Sequence, residues 1–209
     1  MRFTRIQIIA NIFSLLPAMF TGILLIQGSL SANPIQTITV ITGRTAIYLL
    51  IFSLFCTPLN NISKMSVFIR IRKTVGLYAF YYSLVHFLIF SVIDYELNLS
   101  WILPELAQKP FLQIGLTALI LLLPLALSSL QTIKILLGVW WKRIHHLVYL
   151  ITTLVIVHIV LASKGNIIDT AILGGLFLFA LLLRTTPLKK VSIKNTPQWA
   201  RNLNTFLIQ

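Results

Sequence analysis

The chain has 209 residues, of which 57% are hydrophobic and only 10% are charged, and its mean hydropathy is +0.92. Because soluble domains carry about 25% charged residues, this composition predicts an integral membrane protein and excludes a disordered chain, a disulfide scaffold or a large soluble catalytic domain. The single cysteine, Cys56, excludes an intramolecular disulfide and a thiolate-built metal site. The net charge of +13 is spread between apolar segments, which argues against nucleic-acid binding.

Apolar segments along the chain predict an all-α integral membrane protein with a six-helix transmembrane bundle. A spanning helix needs about 20 largely apolar residues, and backbone groups in lipid must bond within the segment, which favours helices over strands. The first segment is too long for the core of a secretory signal, so we expect an uncleaved helix. The six predicted spans are Ile8–Gln27, Gly43–Leu59, Val75–Val92, Phe111–Leu130, His145–Ala162 and Ile168–Leu183.

Prolines divide into two groups by position. Pro17 and Pro124 lie inside predicted spans and are expected to kink them. The others are expected at connections or span ends: Pro34, Pro58, Pro104, Pro110, Pro187 and Pro197. No internal repeat at a fixed period is evident. We expect residues 1–185 to form the membrane domain and residues 186–209 to form a basic cytoplasmic tail.

The charges predict the orientation of the bundle. With the N-terminus inside, the inner segments hold most of the basic residues: Arg2, Arg5, Lys64, Arg70, Arg72, Lys73, Lys134, Lys142, Arg143, Arg184, Lys189, Lys190, Lys194 and Arg201. The outer segments hold the other three (Arg44, Lys109 and Lys164) together with all four acidic residues, Asp94, Glu96, Glu105 and Asp169. The positive-inside rule therefore predicts that both termini are cytoplasmic.

Two histidines lie deep inside predicted spans, where ionisable side chains are rare and suggest function. His86 follows the basic residue Lys73, and His158 follows Arg143, by nearly the same length of a helix that runs outward. At a rise of about 1.5 Å per residue, the depths of the two histidines differ by only about 3 Å. Two imidazoles at one depth favour axial ligation of a haem iron. The alternative is that each histidine bonds across a helix interface, whereas zinc would need further ligands at this depth.

A third histidine on the fifth span, His145, lies about 20 Å closer to the cytoplasmic face than His158 and is a candidate second haem ligand. The two side chains are about 140° apart around an ideal helix, so a tilt or bend is needed if both serve haems in one bundle. The neighbouring His146 is an alternative ligand. The competing interpretation is that either side chain faces water.

Five segments carry a family resemblance: Thr42–Ala46, Cys56–Leu59, Arg70–Leu77, Lys109–Phe111 and Trp141–Leu150. Together with the histidines, they are similar in order and content to the ferric-reductase-like transmembrane family. Within that family, the chain most resembles the haem-binding membrane subunits of periplasmic methionine-sulfoxide reductase systems. The similarity extends from about residue 30 to residue 185.

The resemblance implies an electron-transfer subunit in the bacterial inner membrane, with one or two b-type haems and FMN in or near the subunit. Its partner would be a periplasmic molybdopterin-containing methionine-sulfoxide reductase, paired with it as a heterodimer. Ferric reductases carry two histidines on the third span, one near each end, but the position of this chain that corresponds to the inner histidine is Arg72. His145 therefore lacks a protein partner for a second haem.

We expect the electrons to come from the quinone pool or a cytoplasmic flavin reductase, because the chain has no dinucleotide-binding glycine motif. Four cations at the inner ends of spans three and five are the candidate donor surface for flavin, quinone or protein: Arg72, Lys73, Lys142 and Arg143. The alternative is that they only anchor the topology. On this interpretation the chain is a subunit of an oxidoreductase system rather than a complete enzyme.

Arg44 is the one basic residue at the outer end of the second span. It is a candidate contact for a haem propionate, because a guanidinium binds a carboxylate in bidentate fashion. The alternatives are an interaction with lipid headgroups or an ion pair with Asp94.

Two other functions are compatible with the sequence. One is a self-standing ferric or quinol reductase that uses the same haem. The other is a transporter without a cofactor, although such proteins commonly place carboxylates inside the membrane, and all four acidic residues here fall in outer segments.

Overall fold

The computed structural model describes residues 4–163, 167–184 and 198–208, and every regular element within those ranges is helical. The all-α fold class is therefore confirmed for the described part of the chain. Several residues used above lie outside it: Arg2, Lys164, Pro187, Lys189, Lys190, Lys194 and Pro197. The end of the predicted tail that is described, residues 198–208, is helical.

The helices in chain order are α1 (Arg5–Ile26), α2 (Pro34–Ser63), α3 (Val67–Leu88), α4 (Leu99–Gln108), α5 (Pro110–Leu127), α6 (Gln131–Leu137), α7 (Trp140–Ala162), α8 (Ile167–Leu182) and α9 (Gln198–Ile208). A π-helical turn, Ile89–Asp94, continues α3. Among the described residues, α1, α2, α3 with its π-helical turn, α5 and α7 are long and apolar enough to cross a membrane. The sixth predicted span corresponds to α8, which is apolar but has only 16 residues.

Helix α2 is longer than the predicted span at both ends. It begins at Pro34, where the Asn33 side chain accepts a hydrogen bond from the Gln36 backbone N–H, and it ends at Ser63. Hydropathy identifies only the lipid-embedded part of a helix, so it missed these polar turns. Pro17 and Pro124 lie inside helices as predicted. Pro58 was expected at a span end but is buried inside α2, so that assignment was wrong.

Helix α1 is joined to α3 by hydrogen bonds next to Pro17, which lies inside the helix. The Tyr82 hydroxyl lies between two groups of α1: it accepts from the Ala18 N–H at 3.1 Å and donates to the Ser14 carbonyl at 2.8 Å. Ala18 and Ser14 would pair with each other in an unbroken helix. The tyrosine thus satisfies both groups, as lipid requires of every backbone polar group.

The core is formed mainly by two helix pairs, α2 with α3 and α5 with α7, and α8 packs against both. Its buried residues are Ile47, Leu50, Ile51, Leu54, Ala79, Ala118, Leu122, Leu125, Val148, Ile151, Leu173, Phe177 and Ala180. Large apolar side chains also cover the outside of the bundle, for example Phe13 and Phe20 on α1. A soluble monomer rarely exposes such continuous apolar surface, whereas a lipid-facing helix needs it.

The two ends of the bundle differ in charge. The acidic end, where α3 ends and α8 begins, carries all four acidic residues of the chain. The basic end, where α3 and α7 begin, carries Arg70, Arg72, Lys142, Arg143 and Arg184.

Replacement of Tyr82 by Phe is expected to destabilise the protein. Removal of the hydroxyl leaves the Ala18 N–H and the Ser14 carbonyl without this partner, at a cost of about 1–3 kcal/mol. Thermal unfolding in detergent measures the effect, and Tyr81→Phe is the matched control because Tyr81 is 53% exposed on the same helix. Equal unfolding temperatures for the two variants would contradict this role of Tyr82.

Candidate functional site

His86 and His158 face each other between the two helix pairs. The centroids of their rings are 6.3 Å apart and the ring planes are perpendicular, at 89°. Both side chains line a cavity of about 490 Å³ whose walls are mainly apolar residues of α2, α3, α5 and α7. The structure therefore brings together the two histidines for which the sequence predicted a common depth.

Each of the two imidazoles is held by a backbone carbonyl of the neighbouring helix. His86 Nδ1 is 2.8 Å from the Thr39 carbonyl oxygen on α2, and His158 Nδ1 is 2.7 Å from the Phe111 carbonyl oxygen on α5. Because a carbonyl can only accept, each Nδ1 carries the proton and each Nε2 keeps its lone pair. This is the arrangement by which proteins orient a metal-binding histidine.

Two glycines make room for these rings. A Cβ added at Gly43 would lie 3.0 Å from His86 Nδ1, and one at Gly115 would lie 2.8 Å from His158 Nδ1. Real Cβ atoms essentially never approach as closely as the 2.8 Å at Gly115, and the 3.0 Å at Gly43 is tighter than nearly all real Cβ contacts. A larger residue at either position would therefore force the imidazole or the helix to move. Gly43 and Gly115 therefore define how closely α2 and α5 approach the histidines.

The two half-sites have the same spacing in the chain. The same number of residues separates Thr39 from Phe111, Gly43 from Gly115 and His86 from His158. The segments GRTAIYLL at 43–50 and GLTALILL at 115–122 match at five of eight positions. The sequence predicted no repeat at a fixed period, and a motif that occurs only twice gives no periodicity. The signal in the sequence that reveals this correspondence is Gly-x-Thr-Ala.

Arg44 lines the same cavity and forms an ion pair. Its Nη2 lies 2.6 Å from Oδ2 of Asp169 in the first turn of α8, and the two side chains are 51% and 42% exposed. Asp94, the partner considered from the sequence, also lines the cavity, but the ion pair that the structure records is with Asp169. A pair this exposed contributes little to stability.

A second ion pair at the acidic end joins Lys109 to Glu105, one helical turn earlier in the chain. The hydrogen bond from the Lys109 ammonium lowers the pKa of the Glu105 carboxyl below its ordinary value. The same contact raises the pKa of Lys109. Both groups therefore stay charged over a wider range of pH than isolated side chains would.

His145 lies at the basic end, without a histidine opposite it. Its Nδ1 is 3.1 Å from the Trp141 carbonyl oxygen and 3.5 Å from Ser128 Oγ, and its ring stacks on Trp141 with centroids 4.3 Å apart. His146, the alternative ligand, is exposed. The other two histidines of the chain are the pair at the acidic end.

The four cations of the predicted donor surface differ in their environments. Arg72 turns into the bundle, where it is half-buried and its Nη1 donates to Thr57 Oγ1 at 3.1 Å. Lys73, Lys142 and Arg143 are exposed, and the Arg143 guanidinium lies 4.5 Å above the Trp140 ring. Arg72 is therefore in a different environment from the other three.

Comparison with known proteins identifies the family. Residues 42–156 match the family model described as ferric reductase like transmembrane component. This segment is more than half of the chain; it includes Gly43, His86 and Gly115 and ends just before His158. The chain therefore belongs to the ferric-reductase-like transmembrane family.

Curated relatives within the family are more specific. The chain is 36% identical over 168 residues to the protein-methionine-sulfoxide reductase heme-binding subunit MsrQ of Brucella anthropi, a match that covers 80% of this chain and 76% of the relative. It is 35% identical over 184 residues to the MsrQ of Herminiimonas arsenicoxydans, which covers 87% and 84% of the two chains. No solved structure matches.

Replacement of Gly115 by Ala is expected to destabilise the bundle, because the added methyl group collides with the His158 ring and strains its bond to Phe111. Overpacking of this kind costs about 1–3 kcal/mol. The control is Gly76→Ala on α3, where an added Cβ meets nothing within 4 Å and the better helix propensity of alanine is expected to be neutral or stabilising. The measurement is the thermal unfolding temperature of both variants in detergent. A Gly115→Ala variant as stable as Gly76→Ala would show that the contact between Gly115 and the His158 ring is not tight.

Proposed function

We propose that the chain is a membrane electron-transfer subunit in which His86 and His158 are the two axial ligands of one b-type haem. The observation that carries this proposal is the facing pair of imidazoles, 6.3 Å apart at their centroids, with each Nδ1 bonded to a carbonyl. The names of the relatives, which are heme-binding subunits, support the same cofactor.

The histidine pair and the cavity that it lines fit a haem. A metal–imidazole bond is about 2.0 Å long and the nitrogen lies roughly 1 Å from its ring centroid, so two axial imidazoles on one metal have centroids roughly 6 Å apart. The observed separation of 6.3 Å is close to that value. The cavity of about 490 Å³ falls within the range of about 300–1,000 Å³ that is usual for cofactor sites.

When bound, the haem would supply reversible one-electron chemistry at iron. His86 and His158 would fill both axial positions, so the site favours electron transfer over oxygen binding or substrate chemistry. The Thr39 and Phe111 carbonyls would keep both Nε2 atoms directed at the metal. Arg44 would bind a propionate through its guanidinium.

We infer one haem rather than two. At the basic end His145 has no histidine opposite it, because α3 carries Arg72 at that level, about 20 Å along the helix from His86. A second haem that used His145 would need its other axial ligand from outside the four histidines of this chain. A measurement of the haem content per chain would separate one haem from two.

We infer the direction of electron flow from the charges. The positive-inside rule predicts that the basic end and both termini are in the cytoplasm of a bacterium whose inner membrane holds residues 1–185. The histidine pair then lies near the periplasmic side, beside a molybdopterin-containing methionine-sulfoxide reductase that would accept the electrons. The donor would be the quinone pool or a cytoplasmic flavin reductase with FMN, docking at the exposed Lys73, Lys142 and Arg143.

Replacement of either ligand is expected to remove the haem. His86→Ala and His158→Ala should each lose most of the low-spin haem absorbance, since iron would keep only one axial protein ligand. Haem per chain and the visible spectrum of the purified protein are the measurements, and His146→Ala is the control because His146 is exposed on α7. A full bis-imidazole spectrum in either ligand variant would end this assignment, and a partial loss in His145→Ala would argue for a second haem.

Replacement of Arg44 tests the propionate contact. Loss of this positive charge is expected to lower the haem potential by tens of millivolts, where about 59 mV equals a tenfold change for one electron, and to weaken haem retention. Arg44→Lys should do less than Arg44→Ala, because it keeps the charge and loses only the planar donor geometry. Asp169→Asn should shift the potential upward, since it removes the opposing charge. Unchanged potential and haem content in Arg44→Ala would make Arg44 a partner of Asp169 only.

A further inference from the structure

Two arginines lie side by side at the basic end of the bundle, and we call Arg72 and Arg184 the inner arginine pair. Arg72 donates to Thr57 Oγ1 at 3.1 Å, and Arg184 Nη2 donates to the Leu54 carbonyl oxygen at 2.6 Å. Leu54 and Thr57 are three residues apart on α2, so they lie on one face of that helix, about 5–6 Å from each other. Both guanidinium groups reach this face of α2, so their positive charges are close to each other.

Part of this arrangement has a structural reason. Pro58 has no backbone N–H, so it leaves the Leu54 carbonyl four residues earlier without its helical donor. Arg184 satisfies that carbonyl, and its Nη1 also donates to the Tyr149 hydroxyl on α7. These hydrogen bonds provide partners for two of the three guanidinium nitrogens of Arg184, but neither acceptor balances its positive charge. Its Nε is buried and has no hydrogen-bond partner among the described residues.

The inner arginine pair has no acidic side chain to balance it. The chain contains only four Asp and Glu residues, and all four belong to the acidic end. Arg72 and Arg184 are both half-buried, so their charges are only partly solvated and they repel each other. A partly buried charge without a counter-charge is costly, and an anion from outside the chain would offset this cost for both arginines.

We propose that the inner arginine pair binds the phosphate group of an anionic ligand that enters from the basic end. Guanidinium groups bind phosphate in bidentate fashion, with charge-assisted hydrogen bonds. Residues of α2, α3, α7 and the end of α8 converge there, and the Tyr149 and Thr57 hydroxyls supply further polar groups. Basic pockets between membrane helices recognise phosphate-bearing headgroups in this way. This inference is independent of the haem proposal, because it concerns the opposite end of the bundle.

The phosphate can come from two sources, an anionic phospholipid or a soluble phosphate compound, and the experiment separates them. Delipidated protein in detergent is titrated with phosphatidylglycerol in one arm and with inorganic phosphate in the other. Native mass spectrometry counts the bound molecules, and the unfolding temperature is recorded in the same samples. We expect at least one of the two probes to bind stoichiometrically to the wild-type protein and to raise its unfolding temperature.

Variants locate the binding. Arg72→Gln is expected to weaken binding of the effective probe at least tenfold, and Arg72→Lys less. Arg70→Gln is the matched control, because Arg70 is exposed on the same helix two residues earlier and its loss changes the net charge equally. Dependence on Arg72 with phosphatidylglycerol alone identifies a lipid ligand, and dependence with inorganic phosphate identifies a soluble one.

Two outcomes would overturn the proposal. One is a wild-type protein that binds neither probe and whose unfolding temperature neither probe changes, a measurement that needs no variant. The other is equal weakening in Arg70→Gln and Arg72→Gln, which would indicate attraction to the basic end in general. Haem content, recorded in parallel, keeps this result separate from the haem proposal.

Discussion

The hydrogen bonds from His86 and His158 to backbone carbonyls on the neighbouring helices determine what the rest of the bundle must provide. An imidazole in the membrane interior must bond its N–H group, and a carbonyl of an adjacent helix can accept that bond only if the helix lies very close. Gly43 and Gly115 permit this approach. These hydrogen bonds also determine that Nδ1 is the protonated nitrogen of each ring. The unprotonated Nε2 atoms are then those of two side chains that line one cavity between the helix pairs.

The two helix pairs carry equivalent residues at equivalent positions at the acidic end, but not at the basic end. Carbonyl, glycine and histidine recur at the same spacing in α2–α3 and α5–α7. The offset that relates His86 to His158 also relates Lys73 to His145, so the basic end has no second pair of equivalent histidines. This asymmetry is the basis for proposing a single haem near the acidic end, whereas the basic end carries cations, among them the inner arginine pair.

Prolines inside the helices create contacts between helices. Each proline removes a backbone N–H and disturbs the hydrogen bonds of its own turn, and lipid offers no water to replace them. At Pro17 the Tyr82 hydroxyl joins α1 to α3, and at Pro58 the Arg184 guanidinium joins the end of α8 to α2. Polar side chains near these two prolines therefore join α1 and the end of α8 to the central pairs.

The sequence by itself determined the membrane class, the helical fold and the common depth of His86 and His158, because hydropathy and the rise per residue are local properties of a helix. The interhelical contacts were decided only by the tertiary structure: Gly115 against His158, Arg44 with Asp169 rather than Asp94, and Arg72 turned inward away from Lys73. These depend on how each helix is rotated about its axis. In helices that are apolar on every side, the sequence gives little indication of which face packs against which neighbour. The rotation of each helix about its axis is therefore determined by side-chain packing and by the few polar side chains.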